Sequence, residues 1–315
     1  MGAAASPEPS YVSLARRGQL EERVWHLDAL LADCTVCPRL CRVDRRRSRG
    51  VCGTGIYPEV ASHGPSLDAE PVLCGSNGAG SVVLANCNLH CVFCHNYVGT
   101  QAVSHIEGRK LSAVDLAAVF LDLQGRGCHN LTWTAPSHQV PQLVRALNLA
   151  TREGLRIPVV YNSNAYDSAA VLRLLDGVVD VYVPDLKYSD PLPADQVSGA
   201  PEYPKHAREA LREMYRQVGT TWELEPHGTL RRGMLVRIQV LPYDLAGVEG
   251  SLEWLARELS PRLAVSLRAA VRSCLGAGTA RRASPVDRDL TPEEWRIARW
   301  ALGEHISGDH VFVEQ

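Results

Sequence analysis

No apolar run in this chain approaches the ~20 residues a helix needs to cross a bilayer, and no apolar segment of the secretory kind follows Met1. Those absences argue against a membrane or exported protein and for a cytoplasmic location. Neither sign of charge prevails: 33 Lys and Arg face 35 Asp and Glu, a formal net charge of -2. With no global field to steer them, nucleic acid and acidic lipid are not expected as partners. The one dense basic run, Arg42–Arg49 (RVDRRRSR), reads as a hydrated surface loop. Also missing is the spread of cysteines that marks a disulfide framework. Seven of the ten cysteines fall into two tight groups, the pattern of metal sites, and a reducing compartment keeps them as thiols. Met1-Gly2 with Ser6 matches the short myristoylation pattern, which an Ala-rich tail meets by chance, and residues 1–20 are expected to be a disordered tail.

What is present is the composition of an ordinary globular enzyme, 45% hydrophobic and 22% charged, in 315 residues. That is enough for one large α/β domain with a small appendage. After residue 80, β-branched runs alternate with stretches of helical period, which predicts βα units and a parallel sheet. Strands are predicted at Ser81–Ala85, Leu131–Ala135, Pro158–Asn162, Val181–Leu186, Leu235–Leu241 and Arg262–Leu267, with a last one at His310–Glu314. Helices are predicted at Leu111–Gln124, Val140–Glu153, Ala169–Leu175, Lys205–Val218, Gly250–Leu259 and Thr291–His305. Ser112 with Asp115 starts the first of these, and a Thr291/Glu294 capping box starts the last. Six units suggest a partial (β/α)6 TIM-like barrel over residues 76–315, preceded by a cysteine-rich, metal-binding segment over residues 21–75. Right-handed crossovers bring every strand's C-terminal end to one rim, where parallel α/β folds bind ligands.

On that rim, directly after the first predicted strand, stands ANCNLHCVFCHNY, Ala85–Tyr97. Cys87, Cys91 and Cys94 are spaced x3 then x2, and Asn86 before them tolerates the left-handed turn a sharp loop requires. Three thiols leave a tetrahedral metal one ligand short. Either a fourth ligand comes from elsewhere in the chain, or the vacancy is the purpose. A structural zinc would want four ligands, and His95, abutting Cys94, is badly placed to join it on the same ion. Three thiolates on a [4Fe–4S] cluster leave one iron open. Phe93 is placed to shield a face of such a cluster.

This C-x3-C-x2-C loop, with its aromatic before the third cysteine, resembles the radical S-adenosylmethionine (SAM) superfamily. Cys94-His95-Asn96 is similar to the branch containing pyruvate formate-lyase-activating enzyme. TAPSH (Thr134–His138), VYNSNAYD (Val160–Asp167) and DVYVPDLKY (Asp180–Tyr188) resemble a group of uncharacterised iron–sulfur proteins within that branch. The resemblance implies an enzyme, an oxidoreductase, in which the open iron chelates SAM. A reduced flavodoxin or ferredoxin-type donor supplies an electron, and the resulting 5′-deoxyadenosyl radical abstracts a substrate hydrogen. The hydrogen donor would be a glycine of a partner glycyl radical enzyme, or a small molecule. By the same resemblance Ser137 and His138 replace a Gly-Gly-Glu stretch near SAM, Asn162 and Ser163 reach its ribose, Asp185 and Lys187 form the DLK contact, and Arg237 pairs its carboxylate. The aromatic Gln-Tyr stretch the related group carries after the sixth strand is absent from residues 266–285.

Ahead of the barrel, Cys34-x2-Cys37-x3-Cys41-x10-Cys52 supplies four thiols and no vacancy. That set suits a closed structural zinc or an auxiliary Fe–S cluster stapling a segment too short for a core of its own, with Cys74 as a substitute ligand. Cys128 and Cys274 read as ordinary thiols. The competing expectation, from another class, is a non-catalytic zinc or iron–sulfur binding module on a barrel scaffold.

Overall fold

The computed structural model describes residues 7–94, 109–270, 286 and 288–314. The expectations placed on Met1-Gly2-Ser6, His95-Asn96, Cys274 and most of the divergent stretch before residue 286 lie outside them. Among the described residues no helix is long and apolar enough to cross a membrane.

The six predicted strands form as β2 (Ala79–Leu84), β4 (Leu131–Thr134), β5 (Val159–Ser163), β6 (Val181–Leu186), β8 (Leu230–Val240) and β9 (Ala264–Ala269), and β10 (Val311–Glu314) follows the last helix. They lie in the order β10-β9-β8-β6-β5-β4-β2, every neighbouring pair parallel. Each new strand adds on the same side of its predecessor, so right-handed crossovers place the helices on one face. Onto β2 pair an antiparallel strand, β1 (Glu59–Ser66), and then the short β3 (Arg109–Lys110), while β7 (Glu223–Leu224) pairs only β8. The sheet is open, with β10 and β3 at its edges. The expected partial TIM-like barrel is therefore not what the described residues form: seven parallel strands make an open sheet that continues into the antiparallel strands β1 and β3 on one side.

The period of two in the strands separates two cores. Leu131, Trp133, Val159, Tyr161, Tyr182, Val236, Ile238, Val265 and Leu267 face the helices and pack with Leu143, Leu147, Leu211, Met214 and Leu252. The alternate residues Val160, Val181 and Val183 pack with Leu73 and Leu230 on the other face. Leu73 belongs to a one-turn helix, Pro71–Cys74, which covers the N-terminal half of that inner face. Toward the strands' C-terminal ends the same face turns polar and half-buried, at Thr134, Asn162, Asp185, Gln239 and Arg268. Apolar floor and polar mouth thus come from one alternation.

Two expected boundaries move. The tail predicted as disordered to residue 20 carries the helix Ser10–Arg16 and the start of Gln19–Ala29, with Tyr11, Val12 and Leu20 buried. Tyr11 Oη donates to Ile157 O at 2.9 Å, and Ser10 N donates to the buried Asp180 carboxylate at 2.9 Å. Long-range burial overrides a composition that reads as tail. The cysteine-rich segment does not end as a separate unit at 75 either, since β1 and the Pro71–Cys74 helix are built into the sheet.

Candidate functional site

Residues 85–94 leave the C-terminal end of β2 in a loop that turns through two left-handed residues, Asn86 (φ 69°) and His90 (φ 63°). Asn86 tolerates that conformation, as its residue type predicts. The turn buries Cys87 and Cys91 and leaves Cys94 half-buried. Burial pushes the Cys87 thiol up, and pushes Cys91 up to about 12, against the opposing pull of Lys187. Cys87 and Cys94 lie within electrostatic reach of one another, and Cys91 of both. Two N–H groups point at Cys87 Sγ, from Leu89 N and Asn164 Nδ2, each at 3.4 Å. Asn164 also donates to Asn88 Oδ1 at 2.9 Å, and Asn88 Nδ2 to Tyr166 O at 2.7 Å, tying the loop to the end of β5.

Lys187, 8% exposed, stands over the Phe93 ring at 5.6 Å and donates to Asp185 Oδ2 at 3.2 Å. Burial works against its charge, but Asp185, Cys91 and Cys94 outweigh it and hold the ammonium protonated above its ordinary range. Asp185 and Lys187, expected as the DLK contact, are thus brought together beside the thiols. Donor chemistry at this loop fits an iron–sulfur cluster: three soft ligands, N–H groups on a sulfur, an aromatic wall and a nearby cation. Among the described residues no group of three or more His, Cys, Asp or Glu side chains stands in a metal-holding arrangement.

Other predicted residues are placed differently. Arg237 does not offer a free fork to a ligand carboxylate. Its Nε and Nη2 donate to Glu70 at 2.9 and 2.5 Å, and its Nη1 to Asn162 Oδ1 at 3.2 Å. Glu70, 0% exposed, also pairs with Arg268 at 2.9 Å. Despite the cost of burial, these two guanidiniums hold its carboxyl down at about 2. Glu70 was missed because it precedes the barrel, 167 positions from Arg237, in a stretch with no motif.

Ser137, His138 and Ser163 are buried behind the mouth. Ser163 Oγ accepts from Ala165 N at 3.1 Å, and Ser163 and Ser137 both lie against the buried Asp167, which accepts from Tyr161 Oη at 2.8 Å. Burial lowers His138 to about 3, leaving a neutral ring, with Nε2 at 3.0 Å from Ala85 O. His138 thus steadies the entry to the thiol loop. Asn164, within the VYNSNAYD stretch, is the residue there that touches a thiol; no spacing signal singles it out.

The cysteine-rich segment backs directly onto the loop. Arg39, between Cys37 and Cys41, donates to the carbonyls of Asn88 (2.8 Å), Leu89 (3.3 Å), Ser198 (3.2 Å) and Gly199 (2.7 Å), and its guanidinium lies 5.3 Å from the Tyr166 ring centroid. Hydrogen bonds from a charged group contribute ~1.5–3 kcal/mol each where they are shielded from water. Arg39→Ala is therefore expected to speed amide hydrogen exchange across residues 88–92 by roughly tenfold or more, with β5 unchanged, as read by mass spectrometry. Unaltered exchange in that peptide would show that the clamp does not hold the loop. Cys74, considered as a spare ligand, donates instead to Ala69 O at 3.4 Å within the inner-face plug.

No protein-family model matches the chain. Among curated proteins, an uncharacterised protein of Methanocaldococcus jannaschii is 27% identical over 180 residues, 55% of this chain and 51% of that protein. The chain thus spans about half the length of that relative. Among solved structures, a radical SAM methyltransferase from Sphaerobacter thermophilus is similar over 75% of this chain and 66% of its own, with a TM-score of 0.46 and 14% identity. Similarity at these levels transfers neither a family nor an activity.

Proposed function

We propose that the protein is a radical SAM enzyme whose cluster loop is Cys87, Cys91 and Cys94. The observation that carries this reading is the junction of three thiols on one buried loop with a polar mouth at the C-terminal ends of the strands. The chemistry a three-thiolate [4Fe–4S] cluster supplies is one-electron cleavage of SAM and hydrogen abstraction from a substrate.

The chain's own residues then divide the work. Cys87, Cys91 and Cys94 would hold the cluster, and the N–H groups of Leu89 and Asn164 steady the Cys87 sulfur. Lys187, held charged beside the thiols, takes the anionic end of SAM in place of Arg237, whose fork Glu70 occupies. Asn162 and Asp185, half-buried at the mouth, meet its hydroxyls. Phe93 and Tyr188, packed edge-on at 6.3 Å, keep water from the thiol side. On the resemblance of Cys94-His95-Asn96, the hydrogen donor is a glycine of a partner glycyl radical enzyme, with a small molecule as the competing substrate, and the reductant is a flavodoxin or ferredoxin-type protein.

The test is anaerobic reconstitution with iron and sulfide, then incubation with dithionite and SAM. The expected result is 5′-deoxyadenosine formed only with the cluster loaded and reductant present. A fully loaded cluster that SAM does not perturb spectroscopically, with no deoxyadenosine formed, would end the proposal. Zinc without iron at this loop would leave the non-catalytic binding module in its place.

A further inference from the structure

The basic run Arg42–Arg49 holds an anomaly. Arg42, Arg47 and Arg49 extend into solvent as a hydrated loop should, but Arg45 is 2% exposed. A guanidinium does not give up its proton, so a buried one needs an anion. Among the described residues Arg45 has no carboxylate within ion-pair distance. Its donors reach Gly55 O at 3.1 and 3.2 Å, His138 O at 3.3 Å and Cys34 Sγ at 3.5 Å. Carbonyls are dipoles and carry no net charge. Beside these carbonyls lie sulfurs: Cys34 Sγ accepts at 3.5 Å, and Cys52 is within electrostatic reach.

Two of the segment's thiols flank one space beside Arg45, and the others lie near it; among the described residues they form no closed ligand set. A Cβ built on Gly50 would lie 3.4 Å from Cys41 Sγ, 3.5 Å from Cys52 Sγ and 3.8 Å from Arg45 Nη1, so glycine leaves open the space that the thiols and the cation share. Cys37 lies within electrostatic reach of Cys34 and Cys52, and Cys52 of Cys41. Val51 N donates to Cys41 Sγ at 3.2 Å. Two tight turns present the ligands, one closed by Leu40 N to Cys37 O and the other by Gly53 N to Gly50 O. Leu31 and Val36 are buried with Cys34, and Val43 and Ile56 pack against them.

We infer that Cys34, Cys37, Cys41 and Cys52 are the four thiolate ligands of a closed metal centre, and that Arg45 is its buried counter-charge. Four neutral thiols, or two disulfides, would leave the guanidinium uncompensated. Four thiolates around a divalent zinc, or around a [4Fe–4S] core, carry a net charge of about -2, which meets the need. Binding requires each thiol to release its proton to solvent as the metal enters. The centre also fixes the turn that bears Arg39, between two of its ligands, and through it the carbonyls of Asn88 and Leu89. It stands whether or not the Cys87 loop holds a cluster.

The experiment uses the full chain with Cys87, Cys91 and Cys94 all replaced by Ala, isolated without oxygen and analysed for zinc and iron. The expected content is about one zinc or about four irons per chain, and the element found distinguishes the two sources. Adding Cys37→Ser and Cys52→Ser is expected to remove it. In the same background Arg45→Met, close in shape but neutral, is expected to weaken metal retention ~10–100-fold in chelator competition, and Arg45→Lys to weaken it less. A folded chain holding neither element after reconstitution, or a metal content indifferent to Cys37 and Cys52, would overturn the centre. Unchanged retention in Arg45→Met would overturn the counter-charge.

Discussion

Cys91→Ala is expected to cost the protein about four irons per chain and to reduce 5′-deoxyadenosine formation from SAM to the level seen without enzyme. Cys91 is the middle thiol of the loop, buried, and within electrostatic reach of Cys87, Cys94 and Lys187. A cluster held by the three thiols of this loop would lose a third of its protein ligands with Cys91 and would not be retained. The side chain lost is small, so the fold is expected to survive, which far-ultraviolet circular dichroism checks alongside iron analysis. Iron content and turnover both within a few-fold of the unmodified protein would mean that the cluster, if present, is held elsewhere.

The second large effect is on stability. Glu70→Gln keeps the size of the side chain and removes the buried carboxylate that pairs with Arg237, with Arg268 also losing a partner. Breaking a buried pair by removing one partner typically destabilises by ~3–5 kcal/mol, because the other charge stays desolvated. Here that is a fall of ~5–10 °C in melting temperature. Acid should act on the same contact. Glu70 titrates near 4.5 in the unfolded chain and at about 2 when folded, so its contribution is fully present above 4.5 and is lost as pH falls from 4.5 toward 2. Integrated over that shift it amounts to roughly 3 kcal/mol. Urea unfolding at pH 7 and pH 3 should therefore show a gap between the unmodified protein and Glu70→Gln that narrows in acid. A gap of the same width at both pH values, or none, would remove Glu70 from this role.

Glu70 also shows where sequence reasoning stops. Arg237 and the DLK stretch were legible through the resemblance, because each lies in a short local motif. The identity of Arg237's partner was not, since it comes from a plug preceding the first parallel strand. Arg45 is the same lesson in reverse. Within RVDRRRSR it is indistinguishable from its hydrated neighbours, and only the packing of the cysteine turns buries it. Tyr11 and Ser10 read as tail until Ile157 and Asp180 are brought under them. β1 (EVASHGPS) carries Gly and Pro and no apolar alternation, and it is a strand because β2 pairs it.

By itself the amino-acid sequence determined the parallel strands and their helices, the Ser112 and Thr291 capping boxes, the left-handed Asn86 and the two groups of thiols. Each of these depends on neighbours within a few positions, through sterics, hydrogen bonds or periodicity. The open sheet, the plugged inner face, the Glu70–Arg237–Arg268 contact and the Arg39 and Arg45 links were decided only by the tertiary structure. Charge pairing and burial depend on distance through space, and residues far apart in the chain meet only when the whole sheet has formed.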